Sequence, residues 1–355
     1  MEIINKIRIK DIAQKAGVSE GTVDRVLHNR GEVSEKSRQA VQKAIDELHY
    51  RPNVYARSLA TKKHFRFIFF LPEHTQADYW EKVEEGINMA ASELADFNVA
   101  VTPLYYNQYN HSSYAEKARQ ILDLQPDGVV IVPTFTEDAH VLIAGLKEKN
   151  IPYSFIDSLI DDQGFLSYYG QHSFHSGYIA AKLLLENLPL YSHVLLVRAK
   201  REGGIISNQT QERYKGFIDY VNRQCLNDKY TFTPLVLEDS PSEQNERVLL
   251  ETIRRNDVKA VVTFNSKVYR IAHYLDKAHM EGIRLIGYDL LDKNVYFLKK
   301  GIIHSLIAQR PEKQAYLVLK DLCKNIIFKQ ETEQINYIPI DILIKENIDY
   351  YMNFE

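Results

Sequence analysis

Residues 7–63 read IRIKDIAQKAGVSEGTVDRVLHNRGEVSEKSRQAVQKAIDELHYRPNVYARSLATKK, and the punctuation of this stretch decides how the chain begins. Ile9, Ile12, Ala13 and Ala16 recur at i, i+3, i+4 and i+7, which gives one buried helical face. Gly17 supplies a turn, and Ser19 stands where an N-cap belongs, ahead of a second short helix ending near Leu27. Val18, Val23, Val26 and Leu27 would face the first helix. A third helix follows the capping candidate Ser34 and runs to about Leu48, with Val41, Ala44, Ile45 and Leu48 again at helical spacing. Pro52-Asn53 closes the unit and starts a further short helical piece, Val54–Ala60. A helix, a tight glycine turn and a capped second helix with polar outer residues make a helix-turn-helix, whose second helix can reach base edges in the major groove. The outward positions are Glu20, Gly21, Arg25, His28 and Asn29. A small three-helix packing module has the same pattern, so both readings stand at this point.

Outward from this head, the chain of 355 residues is too long for one ordinary core and suggests about two or three domains. Apolar residues at 45% and charged residues at 26% exclude wholesale disorder and a fibrous fold. No window has the ~18 continuous apolar residues of a membrane span, and MEIINKIRIKDIAQ lacks the apolar core of a signal peptide. Cys225 and Cys323 show no metal spacing and fit a reduced, cytoplasmic setting. The net charge of −3 hides a split: residues 1–63 hold 13 lysines and arginines against 8 acids, and the remainder is acidic. A basic head on an acidic body hints at nucleic acid.

Composition changes after Lys62-Lys63-His64. Short apolar runs then alternate with helical stretches: Phe67–Leu71, Val99–Leu104, Gly128–Val132, Tyr153–Ile156, Val194–Val197, Thr231–Val236, Ala260–Phe264, Arg284–Gly287 and Ile303–Ile307. Runs that are continuous rather than alternating imply parallel strands covered by helices on both faces. Nine or ten strands are many for one sheet, so the expected fold is a small all-α helix-turn-helix domain followed by α/β: two doubly wound parallel-sheet lobes. The expected boundaries are 1–50 for the head, 51–63 for a linker and 64–355 for the body. Within the body, one lobe takes about 64–170 plus 303–330 and the other about 171–302 plus 331–355.

DIAQKAGVS (Asp11–Ser19), GTV-x-RVL (Gly21–Leu27), VSEKSR (Val33–Arg38) and YRPN-x-x-ARSLA (Tyr50–Ala60) together resemble the N-terminal domain of the LacI/GalR family of bacterial transcription regulators. The remainder resembles that family's effector domain, a periplasmic-binding-protein-like clamshell. The resemblance implies that Glu20 and Gly21 occupy the base-reading positions, that Arg25 contacts the operator, and that Ser19 and Thr22 hold phosphates. Asn53–Ala60 would be a hinge helix, too short to be stable alone. Leu59 would be its minor-groove wedge, with the small Ala56 one turn earlier. Asp24 and His28 depart from the usual serine and asparagine, and Asp24 is expected to pair within the molecule.

In the body the resemblance marks the carboxyl ends of the strands as a ligand pocket. Tyr79 and Trp80 would sandwich a sugar ring. Asp157, Arg213, Asn265, Asp289 and Gln309 match polar pocket positions, and His172 stands where the family commonly has aspartate. Ser173 and Ser266 also depart from the common residues, which suggests a changed ligand such as an acid sugar. His172-x-x-His175 is too sparse for a metal site. No cofactor is implied, and GxGxxG, GxxxxGK[ST] and HExxH are missing. The expectation is a cytoplasmic homodimeric regulator, no enzyme and not bound to a membrane, whose affinity for double-stranded operator DNA answers to a monosaccharide or derivative. A nucleoside or sugar-phosphate effector, a ligand-free dimerisation body and a glycosidase using Asp157 with Asp289 are the rivals.

Overall fold

A computed structural model describes residues 8–27, 31–48, 63–186, 188–201, 204 and 206–352. The chain divides into two compact units, Met1–Thr61 and Lys62–Glu355. The positions His28, Asn29, Asn53, Ala56 and Leu59 lie outside the described residues.

The first unit packs helices α1 (Ile9–Ala16), α2 (Glu20–Leu27) and α3 (Glu35–Glu47). Ile12, Ala13, Val23, Val41 and Ala44 form its buried centre, with Ile9, Val18, Val26 and Leu48 around it. Gly17 ends α1 at φ 66° and donates its N–H to the Ala13 carbonyl, a left-handed cap that favours glycine. Ser34 caps α3 by accepting from the Ser37 N–H at 3.3 Å.

The second unit contains two six-stranded sheets among the described residues. The N-lobe has β1 (Phe65–Pro72), α4 (Tyr79–Leu94), β2 (Val99–Tyr106), α5 (His111–Leu124), β3 (Gly128–Ile131), α6 (Thr136–Glu148), β4 (Tyr153–Ile156) and β5 (Tyr168–Gly170). The C-lobe follows with α7 (Ser173–Leu185), β6 (His193–Lys200), α8 (Asn208–Arg223), β7 (Thr231–Glu238), α9 (Glu243–Asn256), β8 (Val258–Thr263), α10 (Val268–Lys277), β9 (Arg284–Tyr288), α11 (Asp292–Lys299) and β10 (Ser305–Ala308). The last elements are α12 (Pro311–Phe328), β11 (Ile335–Tyr337), β12 (Asp341–Leu343) and α13 (Ile348–Met352). The orders are β11-β5-β4-β3-β1-β2 and β12-β10-β9-β8-β6-β7. All pairings are parallel except β10 with β12.

The continuous apolar runs have their cause in two buried faces. Val194, Leu196, Val262 and Ile286 point into one C-lobe core, and Leu195, Val197, Val261 and Leu285 into the other. One edge strand of each sheet carries a proline, Pro103 in β2 and Pro234 in β7, which removes a donor from that edge strand.

The expected lobe boundaries need correction. The stretch beginning at Ile303 does not enter the N-lobe: β10 pairs with β9 in register Ser305↔Ile286 and buries Leu306 and Ile307 among C-lobe residues. The crossing comes at Gln309-Arg310. Then α12 lies on α4 so tightly that a Cβ on Gly86 would stand 2.0 Å from the Glu312 carbonyl oxygen. The chain also stays in the N-lobe past residue 331, because β11 pairs with β5, and it returns only for β12. Backbone pairing of strands of three or four residues, β10, β11 and β12, decides both crossings, and strands so short carry no clear hydrophobic period.

Candidate functional site

In the first unit Ser19, Glu20, Gly21 and Arg25 are exposed, and Thr22 is half-buried. Val23 faces inward, so the start of α2 presents its polar side to solvent. Ser19 Oγ accepts from the Thr22 N–H at 3.1 Å and lies 2.9 Å from Thr22 Oγ1. The string Gly17-Val18-Ser19-Glu20-Gly21 has the spacing of a hydrolase nucleophile elbow. That motif needs a strand-to-helix turn, whereas here it joins two helices and Ser19 is a cap.

In the second unit the strands' carboxyl ends converge on a cleft between the lobes. Tyr79, Trp80, Asp157, Asn265, Asp289 and Gln309 all line one chamber of it. Asp157 follows β4 and Asp289 follows β9, at equivalent places in the two lobes. Both take left-handed backbone, φ 68° and φ 70°, a conformation Asp tolerates better than most side chains. Asn294 holds the second of these turns, donating its Nδ2 to the carbonyls of Tyr288 and Asp289.

The carboxylates are buried and heavily engaged. Asp157 Oδ1 accepts from Tyr79 OH at 2.8 Å and from Gln209 Nε2 at 3.1 Å, and Oδ2 from Ser158 Oγ at 3.1 Å. Asp289 Oδ1 accepts from Gln309 Nε2 at 2.9 Å. Burial raises the Asp157 carboxyl above the ordinary carboxylate range and pushes Asp289 up to about 6, while Arg213 pulls both down.

Arg213 is wholly buried and does not itself line the chamber, but it acts electrostatically on both of the chamber's carboxyls, Asp157 and Asp289. Its guanidinium stacks over the Tyr288 ring at 3.8 Å, and Nη1 donates to the Phe264 carbonyl at 3.1 Å. Nε and Nη2 have no hydrogen-bond partner among the described residues. An orphaned buried guanidinium edge is costly, and a ligand oxygen would satisfy it.

Two expectations change on contact with the geometry. Tyr79 and Trp80 do not form parallel plates around a ring: they pack edge to face on one another, centroids 5.0 Å apart at 87°, and the Tyr79 hydroxyl is committed to Asp157. Consecutive residues at the start of a helix point about 100° apart, which forbids a sandwich. His172 does not join the six that line the chamber. It caps α7 by accepting from the His175 N–H at 3.3 Å, and its ring belongs to a neighbouring chamber. No cluster of three or more His, Cys, Asp or Glu that could hold a metal occurs among the described residues.

Several residues of the cleft were missed in the sequence. Gln209 joins the lobes, donating to Asp157 and also to Gln309 Oε1 at 3.1 Å. Asn208 Nδ2 reaches Thr136 Oγ1 at 2.9 Å, and Arg201 Nη2 reaches Gln108 Oε1 at 3.1 Å. Lys267 Nζ donates to Tyr109 OH at 3.1 Å and pairs with Asp239 at 2.7 Å, a further bridge between the lobes. Position is the sequence signal for Gln108, Arg201, Asp239 and Lys267, which stand within four residues of a strand's carboxyl end, whereas Asn208 and Gln209 open the helix after β6 and carry no such signal.

The family description "Bacterial regulatory proteins, lacI family" matches residues 8–53, and "Periplasmic binding protein domain" matches residues 68–330. A crystal structure described as a "putative LacI transcriptional regulator" from Bacteroides fragilis shares 38% identity at TM-score 0.77, covering 81% of this chain and 100% of that one. The ribose operon repressor of Lactococcus lactis is 24% identical over 353 residues, 96% of this chain and 97% of the relative. The HTH-type transcriptional repressor PurR of Proteus mirabilis is 25% identical, covering 92% of each chain.

Proposed function

Because the chain belongs to the lacI family of bacterial regulatory proteins, we propose that it is a DNA-binding repressor whose operator affinity is set by a small polyhydroxylated ligand, a monosaccharide or close derivative, held between the lobes. The proposed DNA contacts are Ser19, Glu20, Gly21, Thr22, Arg25, His28 and Asn29, with Asn53, Ala56 and Leu59 following in the linker. Two copies would read a pseudo-palindromic site, because half-site symmetry mirrors protein symmetry. Ligand and operator then influence one another reciprocally through lobe closure.

The observation that carries the ligand class is the chamber floor. Asp157 and Asp289 can accept from hydroxyl groups, and Arg213 keeps two buried N–H donors for hydroxyl oxygens. A sugar hydroxyl donates and accepts at once, so it suits both. A sugar acid or sugar phosphate is the second reading, favoured by Arg201, whose Nη1 is buried at the chamber wall without a partner among the described residues.

Thermal unfolding against neutral sugars, uronic acids, sugar phosphates and nucleosides tests the proposal. A ligand at a hundredfold its Kd adds about 2.7 kcal/mol, a visible shift. A response to nucleosides alone would overturn the sugar reading. With a ligand in hand, affinity should fall about tenfold from pH 7 to pH 5, because hydroxyl donors need the ionised form of Asp289, which protonates near 6. Asp289→Asn should bind weakly and without that slope; an unchanged slope would remove Asp289 from the site. Leu59→Ala should weaken operator binding about tenfold or more while leaving the ligand-induced shift intact. Equal operator affinity in a salt-matched titration would refute the wedge.

A further inference from the structure

On the hinge side of the same cleft lies a second chamber, of about 410 Å³. The two chambers share Ser158, Asn208 and Gln209 in their walls. The Gln209 side chain divides them, held by its paired bonds to Asp157 and Gln309. A side-chain amide on two 3.1 Å hydrogen bonds is a partition that a rotamer change removes, since a ligand hydroxyl can replace either bond.

The second chamber has its own recognition chemistry. His172 lies against Tyr337 with ring centres 4.7 Å apart and planes at 34°, and Tyr168 meets Tyr337 edge-on at 6.2 Å. Tyr337 is 51% exposed, so this aromatic platform is open to a ligand. Gln171 is 1% exposed and donates Nε2 to the Ala308 carbonyl at 2.8 Å, yet its Oε1 has no hydrogen-bond partner among the described residues. Asp161 and Glu212 add acceptors, and no lysine or arginine lines the chamber among the described residues. Aromatic rings cover the C–H face of a sugar while acids and amides accept from its hydroxyls. A phosphate or carboxylate would meet repulsion.

We propose that this chamber is a second sugar subsite, that Gln209 gates its connection to the first, and that the cleft accepts a neutral disaccharide or glycoside with one ring in each chamber. The inference rests on the sugar reading of the first chamber. It assigns His172 and Tyr337 to the second ring, and Gln171 Oε1 accepts from one of that ring's hydroxyls.

Trp80 is the single tryptophan and lines the first chamber, so its fluorescence reports binding by the full-length protein. Titrations would pair D-glucose, D-galactose, D-xylose and L-arabinose with maltose, cellobiose, lactose, xylobiose and arabinobiose. At least one disaccharide should bind tenfold or more tightly than its component monosaccharides. Tyr337→Ala should erase that margin and leave monosaccharide binding unchanged, and Gln209→Ala should keep or widen it. A monosaccharide bound as tightly as its disaccharides, with Tyr337→Ala silent, would overturn the subsite and leave the first chamber's assignment standing. Binding by neither length of sugar would overturn the sugar reading, and the subsite with it.

Discussion

Arg213→Met should abolish the ligand-induced thermal shift and cost the effector unit about 3 to 5 kcal/mol, the usual loss when one partner of a buried charge cluster is removed. Methionine replaces much of the side chain's apolar length, so the loss is chiefly electrostatic. Arg213 is wholly buried and favours the ionised forms of Asp157 and Asp289. Without it both carboxyls rise further. A carboxyl whose folded pKa lies above its unfolded value costs stability as pH climbs from the unfolded value to the folded one, and the full penalty persists above that. The variant should therefore lie closer to the parent in urea unfolding at pH 5 than at pH 7.5. Adding Asp289→Asn to it should recover part of the stability at pH 7.5 and none of the ligand response. Parent-like stability at both pH values would mean that Arg213 is not the counter-ion of this floor. Complete burial of the guanidinium is why its removal should reach the fold as well as the ligand response.

Gly177→Ala should be nearly as damaging for a steric reason. A Cβ on Gly177 would stand 1.8 Å from the Arg213 carbonyl oxygen, and one on Gly216 would stand 1.8 Å from the Phe174 carbonyl oxygen. Helices α7 and α8 thus touch backbone to backbone at two reciprocal glycines. Neither carbonyl can swing aside as a side chain could, so the helices must part. The expected loss is about 3 kcal/mol, at the upper end of the usual overpacking cost. For a unit of this size that lowers Tm by roughly 6 to 12 °C. Because α8 carries both Gln209 and Arg213, ligand affinity should fall with it. Gly21→Ala is the control, since its Cβ would meet only Ser19 Oγ at 3.8 Å and the unfolding transition should not move. A Gly177→Ala protein with the parent's Tm would show that the helix pair can spread freely.

Local physics made much of this protein legible. The inward residues of the first unit, Ile12, Ala13, Val23, Val41 and Ala44, follow from helical spacing. Gly17 and Ser34 follow from the backbone demands of helix ends. Unbroken runs such as Val194–Val197 declared strands buried on both faces, and Asp157 and Asp289 stood at strand ends where a cleft between parallel lobes would form. The family likeness ordered those polar positions into one set.

What the chain alone could not express are relations between residues far apart in it. Strands of three residues, Tyr168–Gly170, Ile335–Tyr337 and Asp341–Leu343, are too short for a hydrophobic period and exist because a neighbouring strand offers a ladder. Their pairing decided which lobe owns each crossing. Likewise the perpendicular set of Tyr79 on Trp80, the separation of His172 from Asp157, and the reach of Gln209 across the cleft depend on how α4, α7 and α8 are angled on their sheets. Spacing along a helix or strand repeats every few residues and is written in the sequence. Distance across a cleft is the sum of many packing contacts, and only the assembled lobes determine it.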